Sequence, residues 1–266
     1  MSLEGGNLKI DAHCHVARRS GGSSRGWTNA DLVEAADKLG IDKLLCSTPV
    51  SRGQPTMDVV RECNNITYEA MKEYPDKILG YAFVNPGYFT ESIEEIERCV
   101  KELGMIGIKL YNQYRADEPV VLPIIRKAAE MQIPVLWHAG HPPSPEEALR
   151  WGQPRISDGV HIAALARKVP DAILIHGHIG GGGDWEWGIK ALRNVPNVYV
   201  DTSGSVVDEG IVEMCVKYLG ADRVLFATDL SMEAGVGKIL GANLTDEERE
   251  LIFWKNMDRI LRRRKV

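Results

Sequence analysis

Asp11-Ala12-His13-Cys14-His15 sets two histidines two residues apart at the end of a short apolar run. Side chains alternate along a strand, so His13 and His15 share one face with their Cα atoms about 7 Å apart. Two imidazoles so placed can converge on one ion at bond lengths of about 2.0–2.1 Å. Three more segments close other short runs: Trp137-His138-Ala139-Gly140, His176-Gly177-His178-Ile179-Gly180-Gly181 and Thr228-Asp229-Leu230. Six of the seven histidines lie in or within a few residues of these segments, a concentration that packing alone does not explain.

Working outward, β-branched apolar runs alternate with longer amphipathic stretches. Strands are predicted over Leu8–Ala12, Lys43–Ser47, Ile78–Val84, Ile106–Leu110, Pro134–His138, Ile173–His178, Val198–Asp201 and Arg223–Thr228. Helical patterns fall near Asn29–Leu39, Met57–Glu73, Glu91–Leu103, Val120–Met131, Gly159–Lys168, Trp185–Arg193, Asp208–Leu219 and Asp246–Arg263. Thr28 and Thr245 are the expected N-caps, and Gly40, Gly104 and Gly220 the expected stops. Eight strands each followed by a helix is the count of an α/β fold of the (β/α)8 TIM-barrel type, expected here in somewhat distorted form. An open doubly wound sheet would not gather residues from strands one, five, six and eight around one axis. No linker or repeat divides the chain, so residues 1–266 read as one domain, with Met1–Gly6 as a flexible leader. The longest irregular stretch, Gly140–Asp158, carries four prolines and follows His138, where it is expected to wall or lid the site.

Hydrophobic residues make up 44% and charged residues 26%, values of a globular protein with a sizeable core. The formal net charge of −5 argues against a nucleic-acid or anionic-membrane partner. Arg262-Arg263-Arg264-Lys265 reads as the solvated, dipole-complementing end of a last helix. The five cysteines are scattered with no CxxC pair, which points to a reduced, cytoplasmic setting without disulfides or a zinc ribbon. No apolar run is long enough to span a bilayer, and no secretory apolar segment opens the chain. A small molecule is the expected partner, and assembly into a homo-oligomer is left open.

In such barrels chemistry sits at the C-terminal ends of the strands. Neutral imidazoles with one carboxylate are the ligand set of a catalytic divalent ion that keeps a position for water. A bound ion lowers that water's pKa towards about 7, and an aspartate beside it can accept the proton. With Asp11-Ala-His13-Cys-His15, His138-Ala-Gly, His178-Ile-Gly-Gly, Thr228-Asp229 and Gly107-Ile-Lys109-Leu in this order, the chain resembles the amidohydrolase superfamily, most closely its amidohydrolase-related branch. The resemblance covers essentially the whole chain. It implies a distorted barrel with one divalent metal ion, zinc first and manganese second, held by His13, His15, His138 and Asp229. It makes His178 either a ligand or a group that polarises the substrate. The branch contains hydrolases and lactonases together with non-oxidative decarboxylases and hydratases.

Other residues carry open alternatives. Lys109 is read as substrate-binding or ion-pairing, ahead of a carbamylated bridge between two ions or plain packing. Tyr111, Asn112 and Arg115 after strand four, and Arg155 on the long loop, are read either as plain surface residues or as groups that bind an anionic part of the substrate. His176, taken to share a face with His178, either hydrogen-bonds a ligand residue or fills the barrel interior. Asp11 either orients a ligand histidine or satisfies backbone amides, and Asp201 is read as structural ahead of catalytic. Cys14 is a packing residue. Gly180–Gly183 with Asp184 reads as a tight turn, and Trp185 and Trp187 as pocket wall or helix packing. His141 lies at the rim and His161 on the fifth helix, both outside the metal set. The leading expectation is a metal-dependent hydrolase of an amide, ester or lactone with a carboxylate-bearing substrate, in which Asp229 is the base and His178 polarises the carbonyl or donates a proton. The alternative is a non-oxidative decarboxylase on the same scaffold, and behind it a barrel that only binds.

Overall fold

The computed structural model describes residues 8–17, 26–140, 144–179, 185–204 and 206–265. The leader Met1–Gly6, His141 and the turn Gly180–Gly183 with Asp184 lie outside the described residues. Eight strands follow the chain: β1 Ile10–His15, β2 Lys43–Ser47, β3 Ile78–Phe83, β4 Gly107–Leu110, β5 Pro134–His138, β6 Ile173–Gly177, β7 Val198–Asp201 and β8 Val224–Leu225. They pair in sequence order in one sheet, and all the neighbours are parallel. Beyond β8 the chain turns back onto β1. Ala12 N donates to Phe226 O at 2.9 Å and Asp229 N to His13 O at 2.8 Å. The result is a nearly closed (β/α)8 TIM barrel.

The helices are α1 Asn29–Lys38, α2 Met57–Glu73, α3 Phe89–Glu97, α4 Leu122–Met131, α5 Pro145–Arg150, α6 Gly159–Lys168, α7 Trp185–Leu192, α8 Ile211–Leu219, α9 Met232–Gly241, α10 Asp246–Glu250 and α11 Asn256–Leu261. Thr28 and Thr245 close capping boxes with Asp31 and Glu248, as their spacing requires. Strand alternation sorts the core into two layers. Ile10, Leu45, Tyr81, Leu136, Ile175 and Leu225 fill the barrel, while Leu44, Ile108, Val135, Leu174 and Val200 pack outward with the helices. All five cysteines are free and buried, and among the described residues no helix is long and apolar enough to cross a membrane.

In β1, Asp11 pairs with Leu44 and Cys14 with Cys46, so the strand carries one residue more than its partner. This bulge shifts the alternation just before the histidines. Ala12 belongs to the inner core, yet His13 also faces inward, and Cys14 returns to the outer layer. Asp11 holds the bulge in place. Its carboxylate accepts the N–H groups of His13 at 3.1 Å and Thr228 at 3.0 Å, together with the Thr228 hydroxyl.

Four elements differ from expectation. The first strand runs to His15 instead of ending at Ala12, and the last shrinks to two residues. The proline-rich stretch contains α5, capped by Ser144 and with Pro145 in its first turn, where proline costs no hydrogen bond. Helix α9 was not foreseen, because Gly235, Gly237 and Gly241 make the segment a poor helix by propensity. Tertiary contact overrides that: a Cβ on Gly235 would stand 2.9 Å from Thr228 Cγ2, so only glycine lets α9 lie against the segment leading to Asp229.

At the opposite end of the barrel, Arg223 is buried in a 3₁₀ turn before β8. Its guanidinium donates to Leu219 O (2.9 Å), Val195 O (2.7 Å), Leu192 O (3.2 Å), Arg193 O (3.1 Å) and Val198 O (3.4 Å). One side chain thus satisfies the C-terminal carbonyls of α7 and α8. Arg223→Met strands these acceptors and is expected to lower stability by about 3 kcal/mol. The urea midpoint should fall with an unchanged slope; an unchanged midpoint would refute the assignment.

Candidate active site

Each chemistry-bearing side chain comes from the C-terminal end of a strand or the residue just past it. His13 and His15 end β1, Lys109 lies in β4 with Tyr111 after it, His138 ends β5, His178 follows β6, Asp201 ends β7, and Asp229 follows β8. His178 and Asp229 have left-handed backbones, φ 64° and 48°, which non-glycine residues adopt at a cost. Asp201 holds the first of these, accepting the His178 N–H at 2.9 Å. The Asp229 N–H is held by His13 O.

Hydrogen bonds decide which ring nitrogens are bare. His13 Nδ1 lies 2.8 Å from Asp201 Oδ2, and an ionised carboxylate can only accept, so the proton is on Nδ1 and the lone pair on Nε2. His13 Nε2 meets Lys109 Nζ at 2.7 Å. His15 Nδ1 donates to Ser47 O at 3.0 Å, directing Nε2 at Asp229 Oδ1, 2.9 Å away. His13, His15 and Asp229 each offer one ligand atom, all within 4.8 Å of one another. Imidazoles locked through Nδ1 with Nε2 facing a carboxylate are what a divalent ion requires, so the donor set fits one. His13, His178 and Asp201 form a second such group, but His13 Nδ1 is already bonded to Asp201 Oδ2 and His178 Nδ1 to the Ser203 hydroxyl at 3.0 Å. His138 stands beside the first group: its Nδ1 is 2.8 Å from His178 Nε2 and its ring stacks on Tyr111, centroids 3.9 Å apart.

The electrostatics suit ligand chemistry. Burial drives the His178 pKa down to about 3 and that of His138 well below the usual histidine range, with neighbouring cations adding to both shifts. Burial also pushes Asp201 and Asp229 upward, but the histidines beside them outweigh it and hold both well below the ordinary carboxylate range. Burial lowers Lys109 to about 8 against the pull of Asp229 and Asp201. At neutral pH the carboxylates are therefore charged and the His138 and His178 rings neutral.

Other anticipated residues fall elsewhere. His176 pairs with Val200 and shares the outward side of β6 with Leu174. The expected common face with His178 fails because His178 lies beyond the strand in a left-handed turn. Arg115 is exposed and paired with Asp117 at 2.6 Å, and Arg155 with Glu118 at 3.0 Å. Asn112 is buried. Trp185 donates to Asp208, Trp187 is 69% exposed, and His161 serves the N-terminus of α6. The long loop is tied to its neighbours: Gln153 donates to Val50 O and Gly53 O, and Gln113 also to Val50 O. Asp11 satisfies backbone and hydroxyl donors, so the orienting role weighed for it falls to Asp201. Ser203 was missed. Its hydroxyl lies 2.6 Å from Asp201 Oδ1 and 3.0 Å from His178 Nδ1, and the only signal was its place two residues after a strand-ending aspartate.

Known proteins bear on this arrangement. The chain is 24% identical over 290 residues to a γ-resorcylate decarboxylase of Polaromonas sp., covering 86% of each. Its fold matches the 2,6-dihydroxybenzoate decarboxylase from Rhizobium with a TM-score of 0.76 at 18% identity, over 97% of this chain and 98% of the other. It also matches the 5-carboxyvanillate decarboxylase of Novosphingobium aromaticivorans, solved with manganese and 4-hydroxy-3-methoxy-5-nitrobenzoic acid, with a TM-score of 0.74 at 20% identity, over 97% and 96%. These relatives remove carbon dioxide, and they overturn the expectation of amide, ester or lactone hydrolysis. The physical reason is that the motifs point to residues able to hold an ion, and such a set would serve water activation and carboxylate binding equally. The amidohydrolase family model matches residues 10–263, and the chain belongs to that family.

Proposed function

We propose that the chain is a metal-dependent, non-oxidative decarboxylase of a small aromatic or unsaturated carboxylic acid carrying an oxygen substituent beside the carboxylate. The similarity to γ-resorcylate decarboxylase over 86% of both chains carries this reading. His13, His15, His138 and Asp229 are the proposed ligands of one divalent ion, manganese being the ion named with the 5-carboxyvanillate relative. Such an ion supplies positive charge and Lewis acidity to the substrate's carboxylate and neighbouring oxygen.

The remaining work falls to the chain's own groups. The bond between the carboxylate and its carbon breaks, the electron pair stays on that carbon, a proton joins it, and carbon dioxide leaves. Asp229 is oriented for two tasks. Its Oδ1 faces His15 Nε2 at 2.9 Å and His13 Nε2 at 4.0 Å, on the ligand side. Its Oδ2 lies 3.8 Å from His178 Nδ1, on the side where a proton is held and delivered. Lys109, fully buried, offers a counter-charge for an anionic substrate. The Tyr111 ring, stacked within 16° of parallel on His138 and packed beside Phe83 and Met57, gives a flat apolar wall for an unsaturated ring. Arg115, paired with Asp117, has no part in this proposal.

The test is carbon dioxide release from 2-hydroxy- and 2,6-dihydroxybenzoic acids by manganese-loaded protein. Release matched mole for mole by the decarboxylated product, and abolished by chelator, is expected; water addition without carbon dioxide would sink the reading. His178→Asn and Asp229→Asn should each lower kcat by about 10²–10⁴. Asp201→Asn keeps the shape but removes the charge that fixes His13, and manganese affinity by calorimetry should weaken about 10–100-fold.

A further inference from the structure

Ser203 is buried, 1% exposed, between three groups of the site. Its Oγ lies 2.6 Å from Asp201 Oδ1, 3.0 Å from His178 Nδ1 and 3.3 Å from His13 Nδ1. A hydroxyl has one proton, and an ionised carboxylate can only accept, so that proton goes to Asp201. The hydroxyl lone pairs then face both rings, which must present N–H from Nδ1. His178, protonated there and neutral, carries its lone pair on Nε2. That atom is 2.8 Å from His138 Nδ1, which must in turn be the donor. His138 is left with a bare Nε2.

We propose that Ser203 is a positioning residue that sets the tautomers of His178 and His138. The result is a one-way chain of hydrogen bonds from His138 through His178 and Ser203 to Asp201. Its polarity follows from the single charge at its end. His13 Nδ1 donates to the other oxygen of the same carboxylate, so Asp201 exposes Nε2 on two histidines at once, directly on His13 and through Ser203 and His178 on His138. The peptide carrying Ser203 is fixed on both sides. Lys238 on α9 donates to Thr202 O at 2.7 Å and Gly204 O at 3.4 Å, Thr202 N donates to Leu225 O at 3.0 Å, and Ser203 N donates to Asp201 Oδ1 at 3.0 Å. Removing the hydroxyl takes away the acceptor for His178 Nδ1–H. The opposite tautomer would then point an N–H at His138 and force that ring's proton onto Nε2, the atom needed for a ligand. This inference rests on the proposed metal-dependent reading only for the use made of that lone pair.

The tautomers are read by side-chain nitrogen NMR on ¹⁵N-histidine-labelled, metal-free protein, with His138 and His178 assigned by single replacements. Wild type should show both rings protonated at Nδ1. Ser203→Ala should move both towards Nε2 protonation and weaken manganese affinity by about tenfold, while Ser203→Thr, which restores a hydroxyl, should recover both properties. A wild-type His178 protonated at Nε2 overturns the proposal whatever the variants do, and so does an alanine variant with the wild-type pattern. Activity is not part of the reading. A protein that shows the tautomers but releases no carbon dioxide keeps the relay and loses only the decarboxylase assignment.

Discussion

The carboxylate of Asp201 is the constraint on which the site depends. It is wholly buried and accepts from His13 Nδ1, the His178 and Ser203 backbone N–H groups and the Ser203 hydroxyl. A buried charge costs several kcal/mol unless its lone pairs are filled, so these partners and the charge stabilise one another. Three of the bonds reach segments that would otherwise be free to rotate: the end of β1, the turn after β6 and the loop after β7. The left-handed backbone of His178 costs about 1–3 kcal/mol, and the charge-assisted bond to its N–H offsets much of it. Gly177 belongs to the same arrangement. A Cβ there would lie 2.7 Å from Trp137 O, 3.4 Å from Asp201 Oδ2 and 3.5 Å from His13 Cε1, so a larger residue would press on the pair.

Barrel closure and site assembly are one event. The seam between β1 and the segment after β8 is made by Ala12 with Phe226, by Asp229 with His13 and by the Asp11 carboxylate with Thr228. The backbone bond from Asp229 to His13 O joins two of the proposed ligand residues, so the geometry that closes the sheet also sets their side chains around one point. The bulge in β1 serves both ends. It lets Asp11 turn outward to clamp Thr228 while His13 and His15 turn inward. Lys238 extends this coupling, since the helix that packs on Thr228 through Gly235 also clamps the loop after β7.

What was legible in the sequence was what repeats. Short apolar, β-branched runs such as Val135–His138 and Ile173–Gly177, set between amphipathic stretches, located the strands, and their count led to the barrel. His13 and His15 were readable because both follow the bulge, where alternation holds again. The face of His176 was misjudged because alternation was carried one residue past the end of β6, into a turn with a left-handed backbone. Helix α9 escaped because propensity sees its glycines and not the close approach that requires them. The partner of Asp201 and the role of Ser203 escaped for a different reason: a polar residue at a strand end looks the same whether it meets water or a histidine from β1, and only closure of the sheet decides which. Reading Asp11 and Asp201 correctly needed the register of the first and seventh strands.

The reaction was less legible than the site, because ligand residues do not say what the ion will hold. The charge inventory narrows the choice. Asp201 and Asp229 are buried negative charges, and Lys109, lowered to about 8 and still largely protonated at neutral pH, is the cation beside them. These two carboxylates outnumber the lysine beside them, which favours a cation over an empty centre. In the proposed reading a divalent ion there would add positive charge that a monoanionic carboxylate offsets directly, whereas water offsets it only by losing a proton. If the acid is decarboxylated as proposed, its charge moves to the carbon that must be protonated, and the field that held the acid no longer has an anion to hold. A site balanced in this way would bind the acid more firmly than the neutral, decarboxylated product, and the lost charge would then be the reason the product leaves.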